Sequence, residues 1–264
     1  MASDVLLLGA NGYVGKYLNS VFDFTPITRK ECDLSDRESV ERLLKKHKPD
    51  VVINCAANLN LELQPFNQNH FIDNLKIFLN LYSLKDNFGK LINFGSGAEF
   101  DRSKNIDNAL EKDIRTIKPK DHYGLSKNII SNICLETPNF YTLRLFGCIH
   151  QSEPMHKLFK KILTSKIPVD IYDRYFDYIW LEDLKPIVHH FINNNPILKD
   201  INLVYKQKFL LSELINKFIK THNINVDEPI YKFGGLNYTG SSSLIDSLNL
   251  PLCGIDVAIE RYKI

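Results

Sequence analysis

The chain has 264 residues, with 33 Lys and Arg against 31 Asp and Glu, and a formal net charge of +2. Hydrophobic residues make up 44% and charged residues 24%, a balance that excludes disorder and suffices for one main domain with a small second lobe. The small net charge argues against nucleic acid or a membrane surface as partner, and five cysteines without a CxxC pair argue against a disulfide framework or a zinc site.

Met1-Ala2-Ser3-Asp4 has no basic segment of a secretory signal. No apolar run approaches a membrane span, so the expected location is the cytoplasm. Val5-Leu6-Leu7-Leu8 is a short apolar run closed by glycine, which predicts a buried strand of a parallel sheet. A turn over 9–15 opens a helix to about Phe22, and 24–28 is a second strand. Ser35-Asp36-Arg37-Glu38 fits a capping box, so a helix is expected to start at Ser35 and to end at Lys45-Lys46-His47-Lys48 before Pro49.

Further strands are expected over 51–54, 91–94 and 141–145, with helices over 66–86 and 121–134. This alternation predicts an α/β fold with a doubly wound parallel sheet. Beyond Gly147 the pattern is less regular: helices over 155–164, 184–192 and 211–221, and strands over 169–172, 178–180 and 202–205. Residues 1–150 are therefore read as a dinucleotide-binding domain, with about 176–205 returning to it, and 151–264 mainly as a small α/β substrate lobe. Trp180 is expected in the core of that lobe. The neighbours His189 and His190 face different ways on a helix, so no metal site is expected.

Gly9-Ala10-Asn11-Gly12-Tyr13-Val14-Gly15 has GxxGxxG spacing between a strand and a helix. The first glycine allows a tight turn, the second close approach to a pyrophosphate, and the third close helix–strand packing. Free N–H groups at the helix start then face the phosphates. At the end of the second strand, where a carboxylate would select NAD, stand Arg29 and Lys30. A basic residue there accommodates a 2′-phosphate, so NADP(H) is favoured and NAD(H) stays possible. Asp33 and Leu34 are placed at the adenine edge. Cys55, Ala56 and Ala57 end the third strand, and their small side chains let a cofactor pass close to the backbone.

Tyr123 and Lys127 are four residues apart and share a helix face. A tyrosine is a poor acid–base catalyst at neutral pH unless a nearby cation favours its phenolate, which Lys127 is expected to do. Ser96 lies where the fourth strand ends, the side on which open α/β sheets bind ligands, and would hydrogen-bond a substrate oxygen. Gly97 and Ala98 follow it on the substrate side. A buried Cys55 is not expected to act as a nucleophile.

With GANGYVG at 9–15, DLSD at 33–36, PDVVINCAA at 49–57, FGSGAEF at 94–100, YGLSK at 123–127, LRLFG at 143–147, FDYIWLEDL at 176–184 and NYTG at 237–240, the chain resembles the extended short-chain dehydrogenase/reductases. The likeness is to the NAD-dependent epimerase/dehydratase group acting on nucleotide sugars. It implies a Rossmann-type domain with a small C-terminal substrate lobe, and Ser96, Tyr123 and Lys127 as the catalytic set. It further implies Asn74 as a support for the lysine through a water, Leu145 and Phe146 near the nicotinamide, and a homodimer through the 66–86 and 121–134 helices.

Phe176 stands where relatives often carry the arginine that clamps the substrate diphosphate, and Arg174 is its candidate substitute. Ala98 replaces the cysteine of the epimerising reductases, and His150 falls one residue out of register with their histidine. Both argue against a combined 3,5-epimerase/reductase. The leading reading is an NADP(H)-dependent reductase of a nucleotide-linked 4-keto-6-deoxy sugar. The alternatives are a 4-epimerase that retains NAD and a non-catalytic cofactor-binding regulator. Gly97-Ala98 after Ser96, in place of an Asp-Glu pair, argues against a dehydratase.

Overall fold

The computed structural model describes residues 4–58, 68–165 and 167–264. The first part runs β1 (Val5–Leu8), α1 (Tyr13–Val21), β2 (Thr25–Ile27), α2 (Arg37–His47), β3 (Val51–Asn54), α3 (Gln68–Ser83), β4 (Lys90–Ser96), β5 (Ile106–Ala109), α4 (His122–Glu136) and β6 (Phe140–Leu145). It continues with β7 (Cys148–Ile149), α5 (Leu158–Thr164), β8 (Asp170–Tyr172), β9 (Ile179–Trp180), α6 (Leu184–Asn193) and β10 (Asp200–Leu203). The chain closes with α7 (Leu211–His222), β11 (Ile230–Lys232), β12 (Tyr238–Gly240), α8 (Ser243–Ser247) and α9 (Ile255–Arg261).

Six strands form one parallel sheet in the order β10-β6-β4-β3-β1-β2. Successive strand residues point to opposite faces. On β1, Val5 and Leu7 enter one core with Leu18 of α1 and Leu184, Ile187 and Phe191 of α6. Leu6 and Leu8 enter the other, with Val40 and Leu44 of α2, Phe78 and Leu81 of α3, and Ile130 of α4. Helices cover both faces, which is why β1 is apolar throughout rather than alternating. Each such leucine contributes about 1.5–3 kcal/mol by leaving water. The fold is thus α/β and doubly wound. β2 and β3 lie on opposite sides of β1, so the chain switches direction there, and a crevice opens beyond the C-terminal strand ends.

β10 extends this sheet at its β6 edge, and α6 packs on the face that α1 covers. A smaller core of Phe159, Trp180, Phe218, Ile259 and Tyr262 joins α5, α7 and α9. β5 and β12, both absent from the sequence reading, pair with each other and so tie the C-terminal segment to the loop after β4. Local boundaries also differ. Asp36, not Ser35, caps α2: its carboxylate accepts from Glu38 N and Ser39 N at 3.2 Å each. The Ser35 hydroxyl donates instead to Asp33 Oδ1 at 2.7 Å, so the charged side chain one residue later takes the cap. α5 begins at Leu158, because 155–157 form a turn. The expected start of the long helix at 66 lies outside the described residues. Its far end stops at Ser83, and Lys85–Asn87 form a separate tight turn.

Candidate active site

The glycine turn hangs between β1 and α1. Gly9 has φ +74°, and a Cβ there would stand 2.7 Å from Ala56 N. At Gly15 a Cβ would stand 2.2 Å from Gly9 O, so only glycine lets α1 come this close to the strand end. Gly12 is the N-cap of α1 and supplies no side-chain cap, which leaves the first helical N–H groups to an anion.

A cleft of about 400 Å³ runs from this turn along Asn11, Arg29, Asp33, Leu34, Cys55, Ala56 and Ala57. It shares Gly12, Cys55 and Ala57 with a larger cavity of about 780 Å³. That cavity takes in Tyr13, Val14, Ser96, Tyr123, Lys127, Leu145 and Phe146 and reaches Arg174. Ser96, Tyr123 and Lys127 thus come from β4 and α4 to one wall, and Arg29 lies at the opposite end of the combined cleft.

Other candidate residues lie off the cleft. Lys30 is exposed and does not line it. Gly15, Gly97 and Ala98 pack beneath its walls. Asn74 holds Asn58 instead: its Oδ1 accepts from Asn58 N at 2.7 Å and its Nδ2 donates to Asn58 O at 3.1 Å. His150 turns away from the substrate side. Its Nδ1 is 2.7 Å from Ser152 Oγ, its Nε2 is 3.8 Å from Glu182, and its ring lies edge-on to Tyr17.

Asp121 starts α4 by accepting from Gly124 N at 2.8 Å. The helix then buries Lys127, whose Nζ donates to Phe94 O at 2.6 Å. Burial pushes the Lys127 ammonium below its ordinary range, and the Glu99 carboxylate opposes this. Burial pushes Tyr123 up to about 12, while the Ser96 hydroxyl and Arg102 pull it down. Arg102 is a further cation beside Tyr123, its guanidinium 5.8 Å from the ring centre, which the sequence reading did not single out. Burial also raises the Cys55 thiol far above its ordinary range, which leaves it a poor nucleophile.

Ser96 rests on a buried ionic floor. Glu99 Oε1 accepts from Ser96 N at 2.7 Å, and its Oε2 accepts from Arg144 Nε at 2.7 Å. Arg144 Nη1 donates to Asn202 Oδ1 at 3.0 Å and Nη2 to Asp200 Oδ2 at 2.8 Å. The sequence reading did not single out Glu99, Arg144 or Asp200. The available signal was an arginine inside the apolar run Leu143-Arg144-Leu145-Phe146, which demands buried acidic partners. Arg102 and Tyr238 also line the cavity and were not singled out. At the outer end, Arg174 Nε is buried without a hydrogen-bond partner among the described residues, and its guanidinium lies 5.3 Å from the Phe176 ring centre.

A glycine turn below a strand-order switch, continuous with a wall bearing Ser, Tyr and Lys, defines a Rossmann-type protein of the extended short-chain dehydrogenase/reductase class. The chain belongs to the NAD dependent epimerase/dehydratase family, whose model matches residues 5–195. It is 25% identical over 249 residues to GDP-L-colitose synthase of Yersinia pseudotuberculosis, covering 79% of each chain. It shares its fold with dTDP-4-dehydrorhamnose reductase of Bacillus anthracis in complex with NADP, at TM-score 0.80 and 15% identity over 99% of this chain and 98% of that one. A GDP-mannoheptose C4 reductase of Campylobacter jejuni with NADP bound gives TM-score 0.79 and 20% identity over 98% and 96% of the two chains.

Proposed function

We propose that the protein is an NADP(H)-dependent reductase of a nucleotide-linked 4-keto-6-deoxy sugar. The observation that carries this reading is the single cleft that joins the glycine turn and Arg29 to Ser96, Tyr123 and Lys127. The residues fit a dinucleotide: a glycine cradle that any Cβ would fill, uncapped N–H groups at α1, and small residues at 55–57. Reduced nicotinamide, when bound, supplies the reducing equivalent for a carbonyl carbon. The chain does the rest. Ser96 binds the carbonyl oxygen and Tyr123 gives that oxygen its phenolic proton. Lys127, with one N–H on Phe94 O, has two left for the nicotinamide ribose. Arg174, with Lys157 and His156 along the same outer wall, suits a substrate diphosphate.

The test is turnover. With a 4-keto nucleotide sugar, purified protein should consume NADPH and form the 4-hydroxy product, and Tyr123→Phe should lower kcat by about 10²–10⁴-fold. Absence of NADPH oxidation with every 4-keto nucleotide sugar overturns the reading. A second reading, a 4-epimerase that retains NAD, is favoured by Asp33, whose carboxylate faces the same part of the cleft as Arg29 and suits a ribose 2′-OH. NAD carried through purification would decide for it.

A homodimer is part of the proposal. α3 packs beside α4 and leaves Ile72 45% and Leu79 43% exposed. Leu79→Glu should convert a dimer to a monomer by light scattering; an unchanged mass would remove α3 from the interface.

A further inference from the structure

Arg102 lines the cavity beside Ser96 and Tyr123, and the proposed reduction gives it no task. The loop after β4 fixes where it stands. Phe100 and Ile106, on either side of it in the chain, are buried in one core. Asp101 takes the left-handed conformation at φ +68°, which aspartate adopts more readily than most residues. Its Oδ1 accepts from Ser103 N at 3.2 Å and from Lys120 N at 3.3 Å, which ties this turn to the segment leading into α4.

Arg102 then grips α4 itself. Its Nη2 donates to Asp121 Oδ1 at 2.7 Å and its Nε to Oδ2 at 3.3 Å. The same carboxylate caps the helix that carries Tyr123, so guanidinium and phenol ring are located from one point. They lie 5.8 Å apart, guanidinium carbon to ring centre. A guanidinium only donates, and with Nε and Nη2 on Asp121 its Nη1 keeps two N–H groups. Nη1 makes no hydrogen bond among the described residues, and the side chain is 47% exposed. The charge of Arg102 is compensated by Asp121, whereas Arg174 at the outer end makes no ion pair among the described residues. An uncompensated arginine suits a phosphate; a compensated one with free N–H groups suits a neutral oxygen.

We propose that Arg102 is a specificity-determining residue whose Nη1 donates to the hydroxyl on C3 of the substrate sugar. The inference rests on the reductase reading, with Ser96 and Tyr123 at the C4 oxygen. In a 4-keto-6-deoxy sugar, C4 has two ring neighbours. C5 carries the ring oxygen and a methyl group, and C3 carries a hydroxyl. That hydroxyl is the one beside the reacting carbonyl, on the scale that separates Arg102 from the Tyr123 ring. Holding it fixes how the sugar ring is turned about its carbonyl, and so which face of C4 meets the nicotinamide.

The test compares compounds that differ only in the C3 hydroxyl, as GDP and dTDP sugars. Turnover is measured with 4-keto-6-deoxy and 4-keto-3,6-dideoxy sugars. Affinity for the NADP+ complex is measured by calorimetry with their 4-hydroxy counterparts, both C4 epimers. The wild type should favour the C3-hydroxylated member at least about tenfold in kcat/KM and in affinity. Arg102→Gln and Arg102→Lys should lose at least about tenfold on that member and less than about twofold on the deoxy member. Lysine keeps the charge but not the fork that aims Nη1. Damage to the fold, or an Asp121 left uncompensated beside Tyr123, would lower both members alike and leave their ratio unchanged. A wild type that does not favour the hydroxylated member, or a ratio retained in either variant, overturns the proposal. If the wild type reduces no 4-keto nucleotide sugar, the reductase reading fails, while the binding ratio still decides the role of Arg102. Binding of neither 4-hydroxy sugar would overturn both.

Discussion

Glu153 carries a cost at neutral pH that one substitution removes. Its Oε1 accepts from Lys160 N at 2.7 Å and Tyr262 OH at 3.3 Å, while Oε2 is buried without a partner among the described residues. Burial pushes the carboxyl from an ordinary 4.5 to about 7. The folded state therefore binds the extra proton, and this contribution to stability is complete below about pH 4.5 and lost as pH rises through about 7. Glu153→Gln keeps both accepted bonds and removes the ionisation. It should stabilise the fold by on the order of 2–3 kcal/mol at pH 8 and by little at pH 5, read from urea unfolding at the two values. Equal gains at both values would show that ionisation is not the cause. At the other end of the cleft, Arg29→Ala should weaken NADPH at least about fivefold relative to NADH, read from nicotinamide fluorescence. An unchanged preference would remove Arg29 from 2′-phosphate recognition. The Tyr123 and Lys127 positions were legible because both lie on one helix, where spacing alone sets the shared face. Arg102 and Tyr238 were not legible, since they reach the same point from a loop and from β12.

At the scale of elements, the turn between β1 and α1 leaves no room for a methyl group. In Gly15→Ala the new Cβ meets Gly9 O, so α1 must lift from the sheet. The expected cost is about 1–3 kcal/mol in urea unfolding, with dinucleotide affinity reduced at least about tenfold. Wild-type affinity in that variant would show that the helix start does not cradle the phosphates. β1 and β3 could be located from their unbroken apolar runs, because strands covered on both faces need no polar residue. β5 and β12 could not, for they are short and pair with each other across about half of the chain. The cap of α2 moved from Ser35 to Asp36 because two candidate caps stand side by side, and only the local backbone decides which carboxylate or hydroxyl meets the free N–H groups.

Across the whole molecule, Arg144 joins three strands' worth of chain: its own β6, the turn after β4 through Glu99, and β10 through Asp200 and Asn202. Arg144→Met would leave Glu99 and Asp200 buried and uncompensated, and should cost about 3–5 kcal/mol in urea unfolding. Because Glu99 also holds Ser96 N, the variant should lose kcat as well as stability. Full activity would show that Ser96 is held by other means. What the sequence by itself determined is the α/β alternation, the glycine turn and the Ser, Tyr and Lys positions, all of which are written in local spacing. Only the tertiary structure decided that Lys127 spends an N–H on Phe94 O, that Asn74 holds the Asn58 backbone, that His150 meets Ser152 and Tyr17, and that Arg102 and Tyr238 line the cavity. Those outcomes depend on hydrogen-bond competition and packing between segments distant in the chain, which no local pattern encodes.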